Sequence, residues 1–477
     1  MAELAHLTLL LAAAGVAFGI FALLEASDRR EVVVAVVLGA VAVDAFIFAS
    51  QNDVPEGFFR PTLLGISFRL PDLLVPLGLL ARLAVTGTIR RVTLPGLLWG
   101  AFLVWVVFGY VIGRAEGHDM REVLFQGKTL VVLGGAIALA AGVAPERLVG
   151  RRLSGRWIIV LAVAALPLAF LTLTKTNWDL QWPGLEVESF GTYGADASSL
   201  VMTVAIVVLL VESCREHPRS WVAALGVLLV LSPLAGTQSA SVVQLATMSV
   251  LLLLVRAGVI WRRRTTVRRR EGALFNLGLC ALALAALLVP TANDARLPLA
   301  ENIEQNFANE ASGPTAEART QIWADARKLF LERPWLGWGL GKRIELQEDV
   351  GVSREFTAHN VAIDMLLQSG VVGLALFLAG LAASLAQGWR AWLGHPDDRV
   401  AALALACMTA VIGLLAKGMA ESVLYKFRLS TLLGLLLGVI YAIDVSRRST
   451  TDTASEVPAA SDASGGPGRV RDEVGVG

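Results

Sequence analysis

Thirteen stretches of this chain are apolar for about the length that a helix needs to cross a bilayer, and nothing else in the sequence narrows its folds as much. They lie near 5–25, 32–50, 72–88, 95–113, 123–142, 157–174, 198–213, 219–235, 240–260, 273–291, 360–388, 399–417 and 429–445. A crossing takes about 20 apolar residues, and a lone span in lipid must satisfy its own backbone, which a helix does internally. The expected fold is all-α, a polytopic transmembrane bundle of about 13 helices, or 12 if one of the shorter runs, 72–88 or 198–213, does not cross. Composition agrees: 55% of the 477 residues are hydrophobic and 17% charged, against about 45–50% and about 25% in soluble domains. The net charge of +1 leaves no basic surface for nucleic acid.

Arginine placement orients such a bundle, because short cytoplasmic loops retain positive charge. One alternate set of loops carries Arg29 and Arg30; Arg82, Arg90 and Arg91; Arg147, Arg151, Arg152 and Arg156; Arg215 and Arg219; the cluster from Arg256 to Arg270; and Arg390 and Arg399. With these loops cytoplasmic, the N-terminus lies outside and the C-terminus inside. The first run, preceded by Glu3 and His6, lacks the basic start of a cleaved signal and is expected to be retained. The resulting organisation is ten helices over 1–291, a large extracytoplasmic loop over 292–358, three helices over 359–445, and a disordered cytoplasmic tail over 446–477, rich in Ser, Ala, Gly, Asp and Thr. Cys214, Cys280 and Cys407 are expected to be free thiols.

The large loop is patterned. Ile322, Trp323, Ala326 and Phe330 recur at helical spacing within an amphipathic helix expected over 315–333, and Pro334 ends it. Gly337, Gly339 and Gly341 follow in the segment Pro334-Trp-Leu-Gly-Trp-Gly-Leu-Gly-Lys342, where glycine permits φ > 0 and brings backbone N–H groups close to a ligand. The alternative is a tight interfacial turn. It is no nucleotide P-loop, because Leu336 stands where that motif needs glycine. His359-Asn360 then stands at the mouth of a span. Asn360, Asp364 and Gln368 make one polar stripe on that helix, and an intramembrane carboxylate is expected to face a polar interior or a partner.

Of the five histidines, His6 lies at the N-terminus, His217 and His395 fall in cytoplasmic loops, and His118 and His359 lie on the outer face. His359 is the better candidate base, since imidazole titrates near neutrality and an acidic, amide-rich stripe lies beside it. Arg60, Arg69, Arg114, Arg121, Lys175, Arg319, Arg343 and Arg354 are the outer-face cations, with Lys128 about a turn into its span. Arginine suits phosphate or diphosphate, although many such residues only anchor a helix at the interface. Asp44 is a second intramembrane carboxylate, with Lys128 as a possible partner.

The order of Arg319-x-x-x-Trp323, Arg333-Pro334-x-x-Gly337-x-Gly339-x-Gly341, His359-Asn360 and Gly370-Val-Val-Gly373 resembles the O-antigen ligase and O-antigen polymerase family of bacterial membrane glycosyltransferases. Phe68-Arg-Leu-Pro-Asp72 and the stretch from Phe190 to Ser199 are similar as well. The resemblance implies a protein of the bacterial cytoplasmic (inner) membrane with its active face outside. It implies an undecaprenyl-diphosphate-linked glycan as donor and a hydroxyl on a glycan, lipid or glycoprotein as acceptor. His359 would then be the base and Arg319 would help hold the diphosphate, with Arg69, Gly337, Gly339, Gly341, Arg343, Asn360 and Asp364 as substrate-binding candidates. Where many relatives carry Ser-Arg after the eighth helix, this chain reads Gly236-Thr-Gln-Ser239, so Arg69, Arg343 or another cation has to serve. No outer loop offers a metal-ligand cluster, so transfer is expected to need neither metal nor cofactor. Whether such an enzyme is a ligase or a polymerase stays open. A multi-pass transporter of a small anion or glycolipid is the alternative, but the distinctive polar residues crowd one face and no inverted repeat is evident; a scaffolding protein is a third reading.

Overall fold

The computed structural model of the chain describes residues 2–47, 62–63, 66–67, 69–87, 93–150, 155–163, 165–166, 178–182, 185–190, 195–215, 219–231, 239–262, 314–347 and 353–456. The helices there are α1 (Ala2–Ala26), α2 (Arg30–Ile47), α3 (Leu70–Thr86), α4 (Leu94–Ala115), α5 (Met120–Ala140), α6 (Pro145–Leu148), α7 (Ala195–Ser213), α8 (Ser220–Leu231), α9 (Ser239–Arg262), α10 (Pro314–Glu332), α11 (Val361–Gly394), α12 (Asp398–Gly418) and α13 (Phe427–Glu456). The expected run at 273–291 lies outside the described residues; every other run coincides with helix over at least part of its length. Among the described residues six helices are long and apolar enough to cross a membrane: α4, α5, α7, α11, α12 and α13. The chain is an integral membrane protein with a predominantly helical fold.

Helix starts follow ordinary capping chemistry. Asp119, Asn360 and Asp397 cap α5, α11 and α12, each accepting from a backbone N–H of the first turn. At α3, Pro71 fits the first turn and the Asp72 carboxylate accepts the backbone N–H of Arg69. Within the bundle, α13 lies close against α5 because Gly434 and Gly438, one turn apart, let its backbone approach the carbonyls of Leu133 and Ile137. Trp99, Phe102 and Phe377 interlock α4 with α11, their ring centroids 5.7–5.8 Å apart.

Several expectations need correction. Three antiparallel hairpins, β1–β2 (Thr62–Leu63, Ile66–Ser67), β3–β4 (Trp178–Trp182, Leu185–Phe190) and β5–β6 (Ile344–Gln347, Ser353–Phe356), stand where no strand was expected. Runs of two to six residues are too short for alternation to register against the apolar background. α13 continues to Glu456, past the expected start of the tail at 446; 457–477 lies outside the described residues. Lys128 pairs with Asp72 at 2.6 Å rather than with Asp44. Cys407 is a free thiol, and Cys280 lies outside the described residues.

Candidate functional site

α10 spans Pro314–Glu332, within a residue at each end of the amphipathic helix expected. Its apolar face packs on the bundle: Ile322 and Ala326 are buried with Ile344, Ala358 and Leu367. Trp323 Nε1 donates to the Ala358 carbonyl at 2.8 Å, and Trp338 Nε1 donates to the Leu329 carbonyl at 2.8 Å. Arg333 stacks 4.2 Å over the Trp338 ring and pairs with Glu116 at 2.6 Å.

The glycine segment is a seam between α10 and the spans. Gly337, Gly339 and Gly341 all have φ between 71° and 87°, the left-handed region that favours glycine. Their N–H groups, expected to face a ligand, are spent within the protein: on the Arg333 carbonyl at 3.1 Å, the Gln368 carbonyl at 3.0 Å and Gln126 Oε1 at 2.7 Å. A Cβ at Gly337 would meet the backbone of Gln368 and Gly370, and one at Gly339 the backbone of Ile112 and Gly113. The close approach inferred from these glycines is real, but its partner is protein backbone. The same seam explains a break in α11, where Gly370 adopts φ 64° and ψ −170°. The groups that the break frees are taken up: Val371 N–H by the Pro334 carbonyl at 2.8 Å, the Leu367 carbonyl by Trp338 N–H at 2.8 Å, and the Ser369 carbonyl by Trp105 Nε1 at 3.0 Å. His118, the other outer-face histidine, donates from Nδ1 to the Leu340 carbonyl at 2.8 Å and so belongs to this seam.

His359 sits where the seam's support meets the start of α11. It is one of two non-glycine residues with positive φ among those described, at 52°, a conformation that persists only where the surroundings impose it. Both neighbours are pinned. The N–H of Ala358 donates to Asp364 Oδ1 at 2.9 Å, and Asp364 Oδ2 accepts from Ser422 Oγ at 2.5 Å. Asn360 Oδ1 caps α11 while its Nδ2 donates to the Met419 carbonyl at 3.0 Å. One turn further, Gln368 Oε1 accepts from the Tyr425 hydroxyl at 2.6 Å. The polar stripe thus faces the bundle interior, as expected, and binds the connection between α12 and α13; Asn360 and Asp364 spend their polar atoms positioning His359. His359 is exposed to solvent. Partial desolvation, then the charges of Arg319 and Lys426, hold its pKa below the ordinary histidine value, with Glu421 opposing. A neutral imidazole beside two cations can accept a proton from a hydroxyl at neutral pH.

Lys426 begins a chain of charges that extends into the bundle. It pairs with Glu421 at 2.9 Å and Asp196 at 3.4 Å. Burial alone would depress its ammonium, but Asp196 and Glu421 outweigh burial and hold the pKa above the ordinary lysine value. Arg428 pairs with Asp196 at 3.2 Å and with Asp44, which also pairs with Arg69 at 3.2 Å. Both guanidiniums lie against the Phe427 ring, 4.2 and 5.3 Å from its centroid. Lys417, fully buried, reaches Ser199 Oγ at 2.8 Å and Glu421 at 3.6 Å. Arg69, Lys417, Lys426 and Arg428 are thus linked through Asp44, Asp196 and Glu421 along this chain. Arg343 is not part of it: its guanidinium pairs with Glu122 at 2.5 Å and ties the hairpin to α5. Sequence reasoning reached Arg69, Arg319 and His359 but passed over Asp196, Lys417, Glu421, Lys426 and Arg428. A signal existed, since Lys417 and Arg428 stand at the ends of apolar runs, where a cation requires a partner. Among the described residues no three His, Cys, Asp or Glu side chains gather in a form able to hold a metal ion.

A family model described as O-antigen ligase matches residues 223–378. Among curated proteins, an O-antigen ligase from Pseudomonas aeruginosa is 28% identical over 144 residues, 30% of this chain and 34% of that protein. The chain thus aligns with about a third of the length of that relative (34%). The family match takes in α10, the glycine seam, His359 and the break at Gly370, whereas Arg69, Lys426 and Arg428 lie outside it. Both comparisons are with O-antigen ligases, the family that its outer-loop motifs resemble.

Proposed function

We propose that this protein transfers a glycan from an undecaprenyl-diphosphate-linked donor to a hydroxyl acceptor during surface polysaccharide synthesis, without a metal ion or cofactor. The observation that carries the reading is His359, held at positive φ between two pinned neighbours and within electrostatic reach of Arg319 and Lys426. In the reaction, the acceptor hydroxyl gives its proton to His359. Its oxygen forms a bond to the anomeric carbon as the bond from that carbon to the diphosphate oxygen breaks, and the electron pair leaves with the polyprenyl diphosphate. Arg319 and Lys426 balance the charge that develops on the leaving group. Arg69 and Arg428 extend the positive surface and take the place of the arginine lacking near Gln238. The acceptor, whether glycan, lipid or glycoprotein, approaches the exposed His359.

The membrane organisation goes with this reading: about 13 helices in the bacterial cytoplasmic (inner) membrane, the 292–358 loop and His359 outside, and the C-terminus inside. Supporting it, Arg82, Arg147, Arg215, Arg219, Arg399 and Arg447 make their ion pairs at the end of the bundle opposite His359, as retention of short basic loops on the cytoplasmic side requires. The test is transfer in vitro from a purified lipid-linked oligosaccharide. Loss of a general base removes about 10²–10⁴-fold in rate, so His359→Ala is expected to fall by about that factor, and Arg319→Ala to lose donor turnover. Full activity in folded His359→Ala protein would remove the proposed base.

A further inference from the structure

At the end of the bundle opposite His359, a cavity of about 280 Å³ opens between the start of α4, the last turns of α11 and the end of α13. Thr93, Pro95 and Gln387 line it, and Arg390 and Arg448 stand exposed at its edge. Gln387 is only 3% exposed, yet its Oε1 has no hydrogen-bond partner among the described residues, and the buried Thr93 Oγ1 has none either. Buried polar atoms in native proteins are normally paired, so two orphaned oxygens in one cavity point to a ligand that brings hydroxyl donors. The electrostatics point to an anion. Asp444 serves both Arg447 at 3.0 Å and Arg448 at 2.6 Å, while Arg390 makes no ion pair among the described residues. Arg390 and Arg448 thus bring positive charge to the cavity edge, and the N-terminus of α4 adds its partial positive charge.

The cavity lies where the apolar helix α4 begins. Leu94 and Leu97 of α4 and Trp389 of α11 flank it, 65%, 60% and 46% exposed, an apolar approach on which acyl chains can rest. We propose that this cavity binds the headgroup of an anionic phospholipid bearing free hydroxyls, of the phosphatidylglycerol type, in the leaflet opposite the His359 site. The phosphodiester lies between Arg390 and Arg448, and the glycerol hydroxyls donate to Gln387 Oε1 and Thr93 Oγ1. Basic pockets between transmembrane helices take anionic headgroups by this chemistry.

Native mass spectrometry of the full chain in detergent, titrated with phosphatidylglycerol, phosphatidylethanolamine, phosphatidic acid or inorganic phosphate, tests it. Wild type is expected to hold phosphatidylglycerol in preference to phosphatidylethanolamine, and Arg390→Gln to bind it about fivefold more weakly. Gln387→Leu, which keeps both arginines, is expected to lose the preference for phosphatidylglycerol over phosphatidic acid, because only the former carries headgroup hydroxyls. Equal retention of phosphatidylglycerol by wild type and Arg390→Gln would overturn the proposal, as would an unchanged preference in Gln387→Leu. Displacement of the lipid by inorganic phosphate would do so as well, by assigning the cavity to a free ion.

Discussion

Replacing Asp364 with alanine is the most direct test of whether the geometry around His359 carries the chemistry. Asp364 touches no residue of the proposed reaction; its two oxygens hold the Ala358 N–H at 2.9 Å and the Ser422 hydroxyl at 2.5 Å. Alanine leaves both buried donors without an acceptor, at about 1–3 kcal/mol each. The conformation of His359 at φ 52° is itself disfavoured by about 1–3 kcal/mol, so the loop gains twice by relaxing: His359 leaves the left-handed region and Ala358 finds water. If the productive geometry then lies only about 2 kcal/mol above the relaxed one, kcat falls about thirtyfold. Asparagine should recover most of the loss, since its carbonyl can still accept from Ala358 while the Ser422 hydroxyl turns to accept from the new amide. The assay is turnover of a lipid-linked oligosaccharide by both variants, with melting temperatures measured alongside. The expected result is a loss in kcat with little change in donor KM for Asp364→Ala, and a loss of less than about tenfold for Asp364→Asn. Full activity of Asp364→Ala would refute the argument that its carboxylate positions the base.

Further tests address the electrostatics and the seam. A base works as the neutral imidazole, and the depressed pKa of His359 places the acid limb of the rate profile below the ordinary histidine range; Arg319→Gln removes one depressing charge, so the limb should move to higher pH, as read from kcat against pH. Gly370→Ala puts a side chain at φ 64° and ψ −170° against the Trp335 backbone, and should cost about 3 kcal/mol or more, seen as a drop in melting temperature or loss of the monodisperse peak on size exclusion. Arg428→Ala leaves Asp44 and Asp196 buried with one fewer cation and should destabilise by about 3–5 kcal/mol, measured by thermal unfolding in detergent. Turnover should persist in EDTA, and its loss there would overturn the metal-free scheme.

The parts of this protein written in short-range pattern were legible in its sequence. Helix α10 and the stripe of Asn360, Asp364 and Gln368 depend on residues three or four apart, and both lie as the spacing indicates. The glycine segment was half legible. Glycine at positive φ announces that backbone comes close to something, but nothing local says whether that is a ligand or another helix. The charge network was not legible at all as a network, because its pairs join distant positions: Arg428 meets Asp44 across 384 residues and Asp196 across 232. Lys128 illustrates the difficulty, since the sequence offered Asp44 as its partner and only the packing of α3 on α5 selects Asp72.

The stitching of residues 334–341 to the spans bears on how the protein moves. A helix lying across the mouth of a bundle invites comparison with a hinged cover. Here, however, a swing of α10 would strip bonds from Trp338, Gly339 and Leu340 to α11 and α4, from Val371 to Pro334, and from Gly341 to α5, at about 1–3 kcal/mol for each buried group left alone. That cumulative barrier makes α10 a fixed wall. The amide hydrogens of 338–341 should accordingly be among the slowest in the protein to exchange with deuterated solvent.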